Sequence, residues 1–131
     1  MNWTAVHIQK VILGLAAVFI FSGCGSMFYY PDRFVHYPPE KLGLKKEEIQ
    51  FESLDHTPLV AWYFQTEAKK PKGLLVQFHG NAENISSHYL SLVWLTRQGW
   101  DLFIFDYRGY GGSEGEPSPE GTHKDGLAAL N

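Results

Sequence analysis

The 131-residue chain is 44% hydrophobic and 15% aromatic, which excludes an intrinsically disordered protein and suits one globular domain. Its formal net charge is −3, and no basic cluster is present, which argues against a nucleic-acid partner. The single cysteine excludes a disulfide framework within the chain and a cysteine-rich metal site.

Residues 1–23 have the composition of an export signal. They carry one charge, Lys10, followed by an apolar run of 11 residues at 11–21. Because about 20 apolar residues are needed to cross a bilayer, this run is typical of a signal peptide rather than of a transmembrane helix. The FSGC segment at 21–24 resembles the bacterial lipobox, which implies cleavage before Cys24 and a lipid on that cysteine. The alternatives are a non-lipidated signal peptide and an uncleaved anchor.

The lipobox resemblance also implies a location. A lipid on Cys24 would anchor the protein to the membrane of the bacterial cell envelope. Gly25 follows the cysteine, where an aspartate is a common inner-membrane retention signal in Gram-negative bacteria. The resemblance therefore favours the outer membrane if the source is Gram-negative.

Residues 24–48 form the next predicted unit, an arm rich in aromatic residues and proline. Three prolines between positions 27 and 39 exclude a regular element there, and the many aromatic residues favour contact with the domain. We expect an extended arm packed over the domain. The alternative is an aromatic patch close to the membrane.

The remaining residues, 49–131, read as an α/β domain that opens with a hairpin. Residues 49–54 alternate between apolar and polar, and an apolar run at 59–64 follows the turn-forming residues 55–58. This pattern predicts an antiparallel hairpin at a sheet edge, with His56 as a turn residue.

A βαβ unit is predicted next. The unbroken apolar run at 74–79 indicates a strand buried on both faces, and 102–105 indicates a second strand parallel to it. Between them, apolar residues recur at helical spacing from Ile85 to Thr96, with Asn84 as N-cap and Gly99 as C-cap. A final helix is predicted from Pro119 through Leu130, with Ser118 as its N-cap.

Two motifs stand where these strands end. The HGNAEN segment at 79–84 and the DYRGYGGSEG segment at 106–115 together resemble the α/β-hydrolase superfamily. The likeness is closest to its membrane-associated serine hydrolases. It implies the N-terminal half of an α/β-hydrolase sheet, and hydrolysis of an ester, thioester or amide in a small acyl substrate by a serine nucleophile, without a cofactor.

The resemblance also implies roles for individual residues. The backbone N–H of Asn81 would belong to an oxyanion hole, which stabilises the charge of a tetrahedral intermediate. Gly80 would let the backbone approach the substrate, and His79 would hold the turn by hydrogen bonding. Asp106 and Arg108 would brace the glycine-rich loop as an ion pair at the strand end.

The position of the nucleophile is a separate question. Residues 111–115 fit G-x-S-x-G, but no strand ends at Ser113, and Pro117 and Pro119 prevent a helix from starting there. Ser113 is therefore interpreted as a loop serine. In the family the nucleophile follows the helix predicted at 119–130, so we expect an N-terminal fragment that is inactive alone. A non-catalytic envelope lipoprotein remnant, or a half domain completed by a second chain, are the alternatives.

The sequence gives little support for a metal site or a nucleotide site. His79 and Glu83 are four residues apart, but Gly80 and Asn81 argue against a shared helical face, and no metal is predicted. The glycines at 109–115 match neither a dinucleotide fingerprint nor a P-loop.

Overall fold

The computed structural model describes residues 28–131. The predicted signal peptide, Cys24 and the start of the arm lie outside the described residues. Within 28–131, none of the helices has the length and apolar character that crossing a membrane requires.

The centre of the described structure is a mixed four-stranded sheet. Its strands are β2 (Glu47–Glu52), β3 (Pro58–Phe64), β4 (Gly73–Gln77) and β6 (Trp100–Phe105). Their order is β2-β3-β6-β4, with β2/β3 and β3/β6 antiparallel and β4/β6 parallel. The predicted α/β class, the hairpin and the parallel pair are confirmed.

The hairpin turn is built as its residues suggest. Ser53 N donates to Thr57 O at 2.9 Å, which closes the turn. His56 adopts a left-handed φ of 64°, and its Nδ1 lies 2.7 Å from a carboxylate oxygen of Glu52. His56 is thus a turn residue, as predicted.

The segment between β4 and β6 begins and ends as predicted but is not one regular helix. Asn84 Oδ1 accepts from Ser86 N, and Gly99 takes a left-handed φ of 95°. The α-helix α1 covers only Ile85–His88, and the 3₁₀ segments Tyr89–Ser91 and Val93–Gln98 follow. Ser and Thr hydroxyls here bond carbonyls three residues back, for example Ser91 Oγ to His88 O at 2.9 Å, which competes with α-helical bonding.

One face of the sheet packs on this segment and forms the core. Phe64 and Tyr89 stack there with ring centroids 5.2 Å apart. The other buried members of the cluster are Trp62, Ile85, Val93, Leu102 and Ile104. Ile85, Tyr89 and Val93, whose spacing predicted a helix, are therefore buried in the core.

The prediction that the strand at 74–79 is buried on both faces is wrong for the described residues. The strand ends at Gln77, and Leu74 and Phe78 are 53% and 45% exposed. Alternate residues of a strand point to opposite faces. Leu75 packs against the core cluster, whereas the face of Leu74 receives little cover from residues 28–131.

Three further elements surround the carboxyl ends of the parallel strands. β1 (Tyr30–Pro31) pairs in parallel with β5 (Ala82–Glu83), which brings the arm across the turn after β4. The expectation that the prolines exclude a regular element from the arm is therefore wrong at this short strand. Helix α2 covers Pro119–Ala128, and Ser118 Oγ accepts from Gly121 N, so the predicted N-cap is confirmed and the helix ends two residues earlier than expected.

Candidate functional site

The two motifs meet at one edge of the sheet. Because β4 and β6 are parallel, their carboxyl ends adjoin, which is where open α/β sheets place their ligands. The Tyr110 hydroxyl donates to Asn81 O at 2.8 Å, and Tyr107 N donates to His79 Nε2 at 3.4 Å. The turn at 79–84 and the loop at 106–115 therefore form one continuous structure.

His79 fixes the orientation of the turn's first peptide. Its Nδ1 lies 2.7 Å from Gly80 O, while its Nε2 accepts the Tyr107 N–H. This pattern assigns a neutral ring protonated on Nδ1. Burial lowers the pKa of His79 to about 4, so the ring stays neutral near pH 7. In a trans peptide the carbonyl and the N–H point in opposite directions, so holding Gly80 O toward His79 turns the Asn81 N–H away from it.

Asn81 is held from three further sides. Its carbonyl accepts from Tyr30 N at 2.9 Å as well as from the Tyr110 hydroxyl, and its side-chain Nδ2 donates to Phe28 O at 2.8 Å. The Asn81 N–H, by contrast, donates to no acceptor among residues 28–131. A rigidly placed N–H without a partner is the arrangement that stabilises a developing oxyanion.

Gly80 is not required by packing. A Cβ at this position would lie 3.6 Å from His88 Cε1, an ordinary van der Waals separation. The sequence suggested that position 80 is a glycine so that a substrate can approach the backbone closely, and this stays a prediction.

Asp106 and Arg108 do not form the expected ion pair with each other. Asp106 is buried, and its Oδ1 accepts from Ile85 N at 2.9 Å while its Oδ2 accepts from Gly112 N at 3.3 Å. Burial raises the pKa of this carboxyl to about 6. Asp106 thus ties the start of α1 to the glycine-rich loop through backbone donors.

Arg108 instead binds two aspartates from distant parts of the chain. Its Nη2 lies 2.8 Å from Asp125 Oδ1 and 2.8 Å from Asp55 Oδ1, and it donates to Ser53 Oγ at 3.0 Å. The hydrogen bond from Arg108 holds the pKa of Asp55 well below its usual range. Arg108 therefore joins the loop, the hairpin turn and α2.

Sequence reasoning missed Asp55 and Asp125. They lie 53 and 17 residues from Arg108, and no local motif links them to it.

Ser113 is a buried loop residue, as predicted. Its hydroxyl donates to Asp106 O at 2.7 Å and accepts from Val60 N at 3.0 Å. No helix begins at Ser113, and its hydroxyl contacts no imidazole nitrogen among the described residues. The serine fastens the loop to β3 and does not have the surroundings of a nucleophile.

A cleft of about 530 Å³ opens beside the turn. Its walls come from the turn, the loop, α2 and the arm, and include Phe78, His79, Gly80, Asn81, Tyr107, Tyr110, His123 and Tyr29. Burial raises the pKa of Tyr107 to about 12, so its hydroxyl stays protonated. The cleft is mostly apolar with a few polar groups, as small-molecule sites usually are. Sequence reasoning did not place Tyr29 or His123 beside it.

Metal binding finds no support in the described part of the chain. Within residues 28–131, no three or more His, Cys, Asp or Glu side chains are grouped so that they could hold a metal ion.

Comparison with known proteins supports the family resemblance of the two motifs. The serine aminopeptidase S33 family matches residues 69–125, which include both motifs. The Arabidopsis thaliana alpha/beta hydrolase domain-containing protein WAV2 is 38% identical over 139 residues, covering 95% of this chain and 44% of that protein. These matches show the N-terminal portion of an α/β-hydrolase fold in this chain.

Two other relatives also match most of this chain. The Salmonella typhi protein YfhR, uncharacterized, is 34% identical over 139 residues, covering 98% of this chain and 47% of that protein. A Saccharomyces cerevisiae relative, the uncharacterized membrane protein YNL320W, is 30% identical over 131 residues, covering 90% and 45% of the two chains. The chain thus spans about half the length of the curated relatives it matches.

A solved structure supports the fold alone. The Pyrococcus furiosus esterase Pf2001 superposes with a TM-score of 0.62 at 20% identity, covering 81% of this chain and 40% of the esterase.

Proposed function

We propose that this chain supplies the oxyanion-hole half of an acyl hydrolase that cleaves an ester, thioester or amide with a serine nucleophile. The observation that carries the proposal is the Asn81 N–H. It has no acceptor within residues 28–131, and its peptide is fixed by His79 while Tyr30 and Tyr110 hold the next carbonyl. Removing one such donor from an oxyanion hole typically lowers kcat by about 10²–10³.

The nucleophile of the proposed reaction lies outside residues 28–131. No serine hydroxyl in this region bonds an imidazole nitrogen, and Ser113 is committed to the backbone of Asp106 and Val60. We therefore expect no turnover from residues 28–131 unless the rest of a hydrolase domain completes the site. The half-length match to the relatives supports this view.

The proposed location is the bacterial cell envelope, with a lipid on Cys24 as the anchor. The apolar run at 11–21 and the FSGC segment support it, and so does a relative that is named a membrane protein. Metabolic labelling with a fatty-acid analogue should mark the wild-type chain and leave Cys24→Ser unmarked. A labelled Cys24→Ser chain would show that Cys24 is not the anchor.

Reconstitution tests the catalytic proposal. The full chain is mixed with the portion of Salmonella YfhR that it does not match, and hydrolysis of a p-nitrophenyl ester and labelling by a fluorophosphonate are measured. The mixture should turn over the ester and become labelled only on the YfhR portion, while the chain alone stays unlabelled.

Two variants sharpen this experiment. Tyr110→Phe removes the hydroxyl that holds Asn81 O and should lower kcat, whereas Tyr30→Phe, whose ring is exposed, should not. A chain that is labelled alone and loses the label in Ser113→Ala would identify Ser113 as the nucleophile. A mixture that assembles without turnover would favour the non-catalytic lipoprotein.

A further inference from the structure

Residues 28–37 of the arm, called the aromatic arm below, are bonded to the protein through two charged side chains, Asp32 and Arg33. Asp32 Oδ1 accepts from Asn84 Nδ2 at 3.0 Å, and Asp32 Oδ2 lies 2.9 Å from His36 Nε2. The Arg33 guanidinium donates to Ser113 O at 3.0 Å. These contacts fasten the arm to the turn and the loop of the candidate site.

The apolar side chains of the aromatic arm point outward. Four of its five aromatic rings and one valine are exposed: Phe28 (67%), Tyr30 (65%), Phe34 (69%), Val35 (50%) and Tyr37 (53%). A contiguous exposed apolar segment of this kind marks a contact with another apolar phase.

The position of the arm in the chain indicates which phase. Phe28 is four residues after Cys24, and four extended residues reach at most about 14 Å. With Cys24 anchored as proposed above, Phe28 lies within about 14 Å of the lipid anchor, so the aromatic arm begins beside the membrane surface. Rings of this kind, several with a polar hydroxyl, are the side chains that favour the membrane interface.

We propose that the aromatic arm inserts its exposed rings into the bilayer interface and turns the candidate cleft toward the membrane. Tyr29, the remaining ring of the arm, lines the cleft, and its hydroxyl lies 3.2 Å from Thr122 Oγ1 on α2. The cleft therefore opens beside the membrane contact. The substrate class that this geometry favours is an acyl ester carried by a lipid. That last step rests on the proposed hydrolase function, whereas the docking of the arm does not.

Depth-dependent quenching tests the docking. A genetically encoded fluorescent residue is placed at Phe34 or Tyr37 of the full chain. Leu54 and Trp94, which are 53% and 57% exposed and do not belong to the arm, serve as controls. Each chain is reconstituted into phosphatidylcholine vesicles that contain brominated acyl chains. Rings at the boundary of headgroups and acyl chains lie about 5–10 Å deep, so we expect about twofold quenching at 34 and 37 and none at 54 and 94.

Several outcomes would overturn the docking. Reporters at 34 and 37 that are quenched by aqueous iodide instead would place the arm in water. Reporters protected from both quenchers would show that protein covers the arm. Quenching that needs anionic lipid and disappears at high salt would mean that charge, rather than the rings, holds the surface.

A separate measurement tests the substrate class. In the reconstituted mixture with the YfhR portion, the double variant F34S/Y37S should lower the turnover of a vesicle-borne ester about tenfold relative to a soluble ester, and Trp94→Ser should not. An unchanged ratio would refute the lipid-borne substrate. Absence of turnover on both esters would refute the hydrolase function and leave the quenching result to decide the docking.

Discussion

His79 and Asp106 predict an unusual pH dependence of stability. Their Nε2 and Oδ1 atoms lie 3.8 Å apart, and both side chains are buried. Burial lowers the pKa of His79 from 6.5 to about 4 and raises that of Asp106 from 3.8 to about 6. Burial thus disfavours the charged form of each group and shifts the two pKa values in opposite directions.

Whether each group stabilises or destabilises the fold as the pH falls depends on whether the folded or the unfolded chain binds more protons. Between about pH 4 and 6.5 the unfolded chain protonates His79 and the folded chain does not, so this residue destabilises the fold as the pH falls. Between about pH 3.8 and 6 the folded chain protonates Asp106 and the unfolded chain does not, so this residue stabilises the fold as the pH falls. Each effect amounts to about 3 kcal/mol, and in the wild-type chain they nearly cancel.

Single variants should expose the two effects. Relative to wild type, Asp106→Asn should lose about 3 kcal/mol of unfolding free energy as the pH falls from 7 to about 4, and His79→Asn should gain about as much over the same change. Urea unfolding of the full chain in detergent, followed by tryptophan fluorescence, measures both. Comparing each variant with wild type at every pH removes the contribution of the other titrating groups. If the two variants show the same pH profile as wild type, the reasoning from burial is refuted.

Two further predictions concern the connections around the glycine-rich loop. Asp125→Ala would leave the buried Arg108 without its main partner and should lower the free energy of unfolding by about 3–5 kcal/mol. As a control, Glu120→Ala on the exposed side of the same helix should leave the urea midpoint unchanged. Gly111→Ala would place a Cβ against Asp106 Oδ2 and should be far more destabilising than Gly43→Ala. Both glycines have positive φ, and a Cβ at Gly43 meets no atom, so equal losses would show that backbone strain alone matters.

Features that depend on neighbouring residues could be predicted from the sequence. Asn84 begins the segment between β4 and β6 because its side chain accepts a hydrogen bond from the first turn. Gly99 ends the segment because glycine readily adopts a left-handed φ. The motif spacing correctly brings the HGNAEN turn and the glycine-rich loop together, because parallel strands end at the same edge.

Features that depend on distant residues could not be predicted. The partners of Arg108 were missed because Asp55 and Asp125 approach it only once the sheet and α2 are in place. The burial of strand β4 was overestimated. An apolar sequence shows that a side chain can be buried, but the exposure of Leu74 depends on which other residues pack over it. The contribution of Tyr30 to the turn follows from the path of the arm, which no periodicity describes.

The central claim is that the Asn81 N–H stabilises an oxyanion, and removing that one hydrogen tests it most directly. Semisynthesis can replace the amide between Gly80 and Asn81 with an ester, and the same replacement between Gly115 and Glu116, in an exposed loop, serves as the control. In the reconstituted hydrolase, the first ester should lower kcat by about 10²–10³ with little change in KM, and the control should keep the wild-type kcat. An unchanged kcat with the ester at Asn81 would contradict the account.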